Sequence, residues 1–513
     1  MEKLKFKDVL VKIEEYIEGL NNGAFKLSNI KYPIHRIDQA IKKNERILLY
    51  GDYDADGICS TAIFAKFLQD IGYSNFDYII PTRYDGYGIN EKAYKKHSQE
   101  FDLIITLDNG SNANFLTGKE NNIIIIDHHP YPDERRKWAY NINPNNQAGE
   151  VSTTAGVVAY LFLRMYKRYV NADFDPESYI DLAAITAISD MASMSELNRL
   201  IVSRGLEKIN ESNEGIYRFY KKNGQLKAMD LSFGIISHIN AIGRIGANPT
   251  LAVDMMLQGT REYYDFAEAI NSKKKDMVNG YIKTFRRELE SQVEGSGAQI
   301  YFLYSEEMPI GLCGLVANQL FGMTGKNIVV LSRHPEYDNV YTGSGRGDVI
   351  KDILLSAQKK VDFNFGGHNA AIGIKVEKDK LPELIQECEK IYIEQEEKES
   401  IIGEIDANTL ERVLEYAKDL EAPIDMKLDF RLIDYRFVGM QEYKNGYANL
   451  VLASDKGYLS FFVPNTVEVD ENNFEETLPA MEINVSYNGM VSLKCVDTDI
   501  KPHRDLQYSI KTS

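Results

Sequence analysis

Hydrophobic and polar positions along this chain fall into three kinds of block. The first is a short apolar run that stops at glycine or aspartate. Ile47-Leu48-Leu49 leads into Tyr50-Gly51-Asp52-Tyr53-Asp54-Ala55-Asp56-Gly57, after which Ser60 to Ala65 resumes with helical spacing. Phe101 to Leu107 ends in Asp108-Asn109-Gly110, Ile123 to Ile126 ends in Asp127-His128-His129, and Phe76 to Pro81 is a fourth strand candidate. Such runs predict parallel strands buried on both faces, with the acids beyond their carboxyl ends. The second block is helical spacing. It predicts helices over Val9, Leu10, Ile13 and Ile17, over Val151 to Val157, over Asp181 to Ala192, and over one long connection from Phe266 through Met277, Tyr281 and Phe285 to Leu289. The third block lies beyond it. Gln299 to Leu303 and Asn327 to Leu331 flank a helix near Gly314 and suggest a second α/β domain; after the charged run Glu394 to Glu399 come a helix (Leu410 to Leu420) and β-like stretches at Leu428 to Val438, Ala448 to Val463 and Met481 to Val496. Asn488-Gly489 signals a hairpin, but a two-residue turn would put Ile483 and Val485 on the opposite face from Val491 and Leu493, so a longer or bulged turn, or burial on both faces, is expected.

Three apolar runs that all deliver Asp or His to the same sheet edge predict one shared cationic site, because open α/β sheets place ligands there. In an extended segment Asp52, Asp54 and Asp56 share a face. Carboxylates so grouped repel one another unless cations hold them, and hard oxygen ligands suit magnesium or manganese. The competing reading is an Asp-rich turn that caps the next helix. The missing EF-hand spacing and distal Glu argue against a calcium loop.

Length and composition bound the rest. With 513 residues and 44% hydrophobic content the chain has room for several packed domains. No apolar stretch is long enough for a membrane span, and Met1-Glu2-Lys3-Leu4-Lys5 lacks a signal-peptide core, which reads as cytoplasmic. Cys59, Cys313, Cys388 and Cys495 show no paired spacing, so a zinc ribbon or disulfide scaffold is unsupported. The net charge of -17 opposes general nucleic-acid binding. It leaves room for a basic groove set into an acidic body, since metal-binding carboxylates are counted without their cations.

The segments Asp-Tyr-Asp-Ala-Asp-Gly, Asp108-Asn109-Gly110 and Asp127-His128-His129 resemble the first three motifs of the DHH phosphoesterase superfamily. From about Lys31 to Gly373 the motif order resembles the RecJ family of single-strand-specific exonucleases within it. The resemblance implies an α/β fold: a parallel-sheet DHH domain preceded by helices (1–258), a connecting helix (259–295), a smaller α/β DHH-associated domain (296–395) and a β-rich C-terminal domain (396–513). For that last domain an OB-like barrel and a protein-interaction module are the two readings.

The resemblance also implies a site. Asp54 and Asp108, with Asp52 as a further candidate, would hold one divalent cation; Asp56, Asp108, His128 and Asp190 would hold the other. Neighbours in an extended chain point to opposite faces, so Asp127, His128 and His129 cannot all bind one metal. The resemblance assigns His128 to the metal, His129 to the substrate phosphate and Asp127 to orienting it, leaving Asp108, His129 and Asp127 as the catalytic set. Asp190 matches the fourth motif; Asp181, the competing acid, sits where capping already explains it. Small-substrate phosphatases of the superfamily have His where Tyr50 stands, which weakens the first metal site. Arg83 and Tyr87 lie in Pro-x-Arg and Gly-Tyr-Gly segments similar to those of the family, to grip a phosphate and stack on a base, against a plain glycine-rich turn with a surface Arg. His238 to Gly246 resembles the family's Asn-Ala-x-Gly-Arg segment and makes Arg244 a phosphate clamp. Gly343-Ser344-Gly345-Arg346 and Gly366-Gly367-His368-Asn369 resemble the DHH-associated glycine motifs, with Ser344 and Arg346 seating a 5' phosphate, Gly366 and Gly367 offering backbone N–H groups, and His368 facing the metals. Lys273, Lys274, Lys275, Arg286 and Arg287 on the long helix line a groove or are solvated charges.

The implied activity is hydrolysis of single-stranded DNA from its 5' end to mononucleotides by water activated between two Mn2+ or Mg2+ ions, in DNA repair or recombination, with a single-strand-binding protein or helicase as recruiting partner. The alternatives are a phosphodiesterase for short RNA or cyclic dinucleotides and a catalytically inactive scaffold of the same superfamily.

Overall fold

A computed structural model describes residues 27, 30–131, 138–144, 153–190, 192, 195–221, 224–293, 297–334, 337–367, 370–393, 403–419, 426–432, 435–442, 447–464, 480–485 and 491–495. The helix expected over Val9 to Ile17 lies outside them. The chain divides into two compact units between Lys275 and Asp276.

The first unit is built on a five-stranded, all-parallel sheet in the order β2-β1-β3-β4-β5, formed by β1 (Ile47–Tyr50), β2 (Phe76–Ile79), β3 (Leu103–Leu107), β4 (Ile123–Ile126) and β5 (Asn141–Ile142). Every residue of β1, β3 and β4 is buried, as continuous apolar runs require in a sheet covered on both faces. Leu48, Ile104, Ile123 and Ile125 pack with Phe101, Leu116 and Tyr140 on one side. On the other lie α2 (Ala55–Asp70), α4 (Ala155–Val170) and α5 (Ile180–Ser189), joined by aromatic contacts such as Phe64 stacked on Phe162 at 6.1 Å. Helices α1 (Lys31–Lys42), α3 (Glu91–His97) and α6 (Glu196–Glu211) complete this layering.

Strand order fixes where a ligand can enter. From β1 the chain goes outward to β2 and then returns to the opposite side of β1 as β3. Two consecutive connections leave in opposite directions, and a crevice opens between the carboxyl ends of β1 and β3, the topological switch point at which open α/β sheets bind ligands.

The long connection is real: after α7 (Ser237–Arg244) and α8 (Thr250–Gln258), α9 runs unbroken from Arg261 to Val293. The second unit carries a mixed sheet in the order β6-β7-β8-β10-β9, from β6 (Ile300–Ser305), β7 (Asn327–Arg333), β8 (Val340–Arg346), β9 (Asn364–Gly367) and β10 (Ala371–Glu377). One face is sealed by α11 (Ile350–Ala357) and α12 (Leu381–Glu389), and α10 (Ile310–Thr324) lies against β7 and β8.

Beyond residue 402, β11 (Gly403–Ile405), α13 (Ala407–Asp419), β12 (Met426–Leu432) and β13 (Arg436–Glu442) lead into a four-stranded sheet, β11-β12-β16-β17, and a three-stranded one, β13-β14-β15. The β-like stretch Ala448 to Val463 is a hairpin of β14 (Tyr447–Ser454) and β15 (Gly457–Pro464), turning at Asp455-Lys456 and entering β15 at Gly457, whose φ is +127°. In the last pair, β16 (Ala480–Val485) and β17 (Val491–Cys495), Val485 faces Val491 and Ile483 faces Leu493. The connection is therefore longer than two residues, which puts both apolar sets on one face as expected; Asn488-Gly489 itself lies outside the described residues.

Candidate functional site

The loop after β1 does not stay extended, and this corrects the alternation reading. Asp54 is extended (φ -100°, ψ -178°) but α2 begins at Ala55, so Asp54 is its N-cap and Asp56 lies in its first turn. Asp54 Oδ1 accepts the N–H groups of Asp56 (3.0 Å) and Gly57 (3.2 Å). The capping alternative and the cluster are thus the same structure: one oxygen closes the helix, and oxygens of Asp52, Asp54 and Asp108 still gather within 4.8 Å of one another. The reversal needs Gly57, where a Cβ would stand 2.5 Å from the Asp52 backbone.

Asp56 is held by a second helix. Its Oδ2 accepts the Ala155 N–H at 2.8 Å and its Oδ1 the Gly156 N–H at 2.9 Å, both at the start of α4, where free N–H groups and the helix dipole favour an anion. Asp108 follows β3 with φ +66°, a left-handed conformation uncommon outside glycine. Its carboxylate is buried, and Oδ1 accepts no hydrogen bond although His128 Nε2 is 3.2 Å away. The same Nε2 lies 3.6 Å from Asp56 Oδ2 and 3.8 Å from Asp190 Oδ2.

The Asp127-His128-His129 segment also leaves strand geometry. Asp127 folds back so that its Oδ1 accepts the N–H of His128 (2.8 Å) and of His129 (3.2 Å), while Oδ2 accepts the Ser111 N–H at 3.0 Å. The two imidazoles therefore stand side by side, 4.5 Å between centroids, and not on opposite faces. Their partners still differ. His128 faces three carboxylates; His129 Nδ1 bonds Asp127 Oδ1 at 2.8 Å and stands 3.7 Å from Asp108 Oδ1.

Charge explains what the cluster lacks. Burial and the neighbouring acids Asp56, Asp54, Asp52 and Asp127 push Asp108 well above the usual carboxylate range. Burial and Asp54 do the same to Asp52, whose Oδ1 also has no hydrogen-bond partner. Asp56 is pushed up to about 6, chiefly by burial, and Asp190 is raised, again chiefly by burial. Asp127 goes the other way: its burial is outweighed by the hydrogen bond and charge of His129, which hold it well below the usual range. Conversely Asp127 pushes His129 up to about 9 against burial. Buried acids that raise one another, with oxygens accepting nothing, fit a bound cation. The donor set of carboxylate oxygens and one imidazole fits manganese or magnesium.

Asp181 is absorbed elsewhere, taking Lys208 Nζ at 2.9 Å and the Tyr217 hydroxyl at 2.8 Å. The Tyr87 hydroxyl donates to the Asp108 carbonyl at 3.0 Å and stands 3.0 Å from a His129 ring nitrogen, with half of its surface exposed. Arg83 lies 4.0 Å over the Tyr53 ring, its buried Nε without a hydrogen-bond partner. Arg244 acts on the same Tyr53 hydroxyl through its charge.

Three positions escaped the sequence reading. Asn240 Oδ1 accepts the Ala55 N–H at 3.0 Å, docking α7 on the first acidic loop; its signal was its place in the segment ending at Arg244. Asn109 ties Ile89 N–H (3.1 Å) and the Tyr50 carbonyl (3.2 Å) together, bracing the Tyr87 loop. Gly373 is the third. In the second unit it pairs with both Ser344 and Gly366, so the three form one row across β8, β10 and β9. A Cβ at Gly366 would meet nothing within 4 Å, and one at Gly373 only the Gly366 carbonyl at 4.0 Å, which leaves an open floor. Gly314 of α10 borders it, 3.4 Å from Ser344 Oγ and 3.3 Å from the Arg346 guanidinium when a Cβ is added. Gly367 closes the row at φ +133°, and His368 lies outside the described residues.

The family profile described as "DHH family, N-terminal domain" matches residues 46–187. The single-stranded-DNA-specific exonuclease RecJ of Bacillus subtilis is 29% identical over 379 residues, 70% of this chain and 47% of that protein; the RecJ of Haemophilus influenzae is 25% identical over 428 residues, 75% and 73%. The chain thus spans about half the length of the Bacillus protein it matches. Among solved structures, RecJ from Thermus thermophilus in complex with Mn2+ aligns with a TM-score of 0.71 at 20% identity, covering 93% of this chain and 73% of that one. An exonuclease RecJ bound to manganese aligns with a TM-score of 0.57 at 23% identity, over 71% and 94%.

Proposed function

We propose that this chain, which is similar to RecJ and matches the DHH-family N-terminal domain over residues 46–187, is a divalent-metal-dependent exonuclease that hydrolyses single-stranded DNA from the 5' end. The observation that carries the reading is the crevice at the β1/β3 switch point, where Asp54 stands beside the buried Asp52, Asp56 and Asp108, whose carboxyls are pushed up by burial and by neighbouring acids, and Asp108 Oδ1 accepts no hydrogen bond. RecJ structures with Mn2+ and with Mg2+ support the choice of ion. Bound there, two such cations supply the positive charge that acidifies a water and offsets charge building on the phosphate.

The residues have separable roles. Asp56, Asp108, His128 and Asp190 would hold one ion, and Asp54, Asp108 and Asp52 would hold the other. Asp127 keeps the His129 Nδ1 proton in place, so the imidazolium faces the scissile phosphate, and the Tyr87 hydroxyl fixes the ring edge. Arg83 and Arg244 grip backbone phosphates beside Tyr53. In the second unit the Ser344–Gly373–Gly366 floor with Arg346 seats a terminal 5' phosphate, since backbone N–H groups, a hydroxyl and a guanidinium suit that dianion. The β-rich region beyond residue 402 binds unpaired strand in an OB-like manner. The cellular role is DNA repair or recombination in the cytoplasm, with a single-strand-binding protein or helicase delivering the enzyme.

The test uses 5'-labelled and 3'-labelled single strands with Mn2+. Immediate release of labelled mononucleotide from the 5'-labelled strand alone, lost in Asp108→Ala, is expected. Cleavage of a dinucleotide RNA alone would replace the proposal with a small-substrate phosphodiesterase.

A further inference from the structure

Lys375 stands one row away from the bare floor of the second unit. In the β8–β10 pair Arg346 faces Ala371, Ser344 faces Gly373 and Thr342 faces Lys375. Alternate residues of a strand share a face, and burial tells the two faces of β10 apart: Ile372, Ile374 and Val376 lie in the core of this unit, while Gly373, Lys375 and Glu377 are exposed. Arg346, Gly373 and Lys375 therefore belong to one open face, in three successive rows about 7 Å apart. The row Ser344–Gly373–Gly366 is the middle one. A guanidinium flanks it on one side and an ammonium on the other.

Nothing on that face ties the ammonium down firmly. Among the described residues Lys375 makes no ion pair; its amine lies 5.1 Å from the centre of the Tyr337 ring, which is 53% exposed. Glu377, the next residue of β10 on this face, is one row further from the floor. An exposed contact of a cation with a ring is weak beside a charge-assisted hydrogen bond to phosphate, so a phosphate draws the amine off the ring. The way is clear as well. A Cβ at Gly366 would meet nothing within 4 Å and one at Gly373 only the Gly366 carbonyl, so no side chain stands between Lys375 and the middle row, and a flexible four-carbon stem crosses it.

The charge of the ligand matches two cations. A terminal phosphate carries about -1.5 to -2 at neutral pH, whereas an internal diester carries a single charge. Arg346 alone balances the internal group. The terminal one is balanced only with Lys375.

We propose that Lys375 is the second cation of the seat for the terminal 5' phosphate: its amine rests on Tyr337 in the free protein and moves over the Ser344–Gly373–Gly366 row, opposite Arg346, when that phosphate binds. This rests on the nuclease reading above. Lys375 then determines specificity, separating a phosphate at the end of a strand from one within it. It touches no reacting bond.

The experiment measures kcat and KM in Mn2+ on one 3'-labelled single strand bearing either a 5' phosphate or a 5' hydroxyl, for the full chain as wild type, Lys375→Met, Lys375→Arg and Lys378→Met. Wild type is expected to favour the phosphorylated strand. In Lys375→Met that preference should shrink by about tenfold, through KM, with the hydroxyl strand cleaved as by wild type. Lys375→Arg should restore it, and Lys378→Met, whose amine pairs with Glu306 at 2.9 Å, should keep it. An unchanged preference in Lys375→Met overturns the proposal and leaves the nuclease standing. So does an equal loss on both strands, which means a structural role. A wild type indifferent to the 5' group removes the floor and Lys375 together while cleavage itself stands. If wild type cleaves no single strand, both readings fall.

Discussion

The two candidate binding regions of this protein are built on opposite principles. The acidic crevice at the β1/β3 switch point is crowded: buried carboxylates of Asp52, Asp56 and Asp108 oppose one another, and backbone N–H groups from α2 and α4 already occupy part of Asp54 and Asp56. The floor in the second unit is bare, a row of Ser344, Gly373 and Gly366 with a single guanidinium beside it. One site is made by excess like charge and is completed by cations. The other is made by missing side chains and is completed by an anion that comes close to the backbone. Removing a group should therefore ruin the first, and adding a group should ruin the second.

The largest effect expected is from Asp108→Ala, which takes away the buried acid at the centre of the cluster. Exonuclease turnover should fall by at least about 10^3-fold with folding intact, measured by nucleotide release with circular dichroism alongside. Activity within about tenfold of wild type would break the account of the crevice. Gly366→Leu tests the floor by addition. Because a Cβ there meets nothing, the fold should be untouched while cleavage of 5'-phosphorylated strands slows by about tenfold to a hundredfold. Equal rates for Gly366→Leu and wild type would show that nothing lies on the floor.

A third expectation concerns pH. Asp56 is pushed up to about 6 from its ordinary 3.8, by burial first, with His128 opposing and Asp190 and Asp54 adding. An acid raised in this way favours the metal-free folded state fully below about pH 4 and loses that contribution as pH rises through about 6. Mn2+ should therefore raise Tm much more at pH 7.5 than at pH 5, by an amount that grows with the ratio of ion concentration to Kd. Asp56→Asn should flatten that pH dependence, and equal shifts at both pH values would contradict the charge argument. The smallest effect belongs to Asn240→Ala, which removes the acceptor for the Ala55 N–H at the start of α2. A stability loss of about 1 kcal/mol by denaturant melting is expected.

How much was legible follows the same divide. Apolar runs ending in Asp or His located β1, β3, β4 and the crevice, because burial on both faces leaves an uninterrupted pattern. The motif resemblance supplied the grouping of His128 with Asp56, Asp108 and Asp190, which the distances bring together. What the pattern could not carry was any contact made by peptide groups. The N–H clamp of Ala155 and Gly156 on Asp56 has no side-chain signature, and the reading there stopped at a helix over Val151 to Val157. Period-two alternation failed at Asp54 and again at Asp127, since an aspartate that accepts the next N–H groups ends the strand it was assigned to. Gly373 was missed because a glycine's role in a floor depends on its neighbours across the sheet.

The Asp56 clamp has a consequence for how the chain tolerates change. Its donors are peptide N–H groups, which every amino acid but proline carries. Substitutions at residue 155 can alter size or polarity and still leave the donor in place, and only proline erases it. Residue 156 is restricted for a separate reason, because any Cβ there would stand 2.4 Å from Thr186. The acid's support therefore asks nothing of the exposed side chains of that helix, such as Arg168, while its buried face is held by packing.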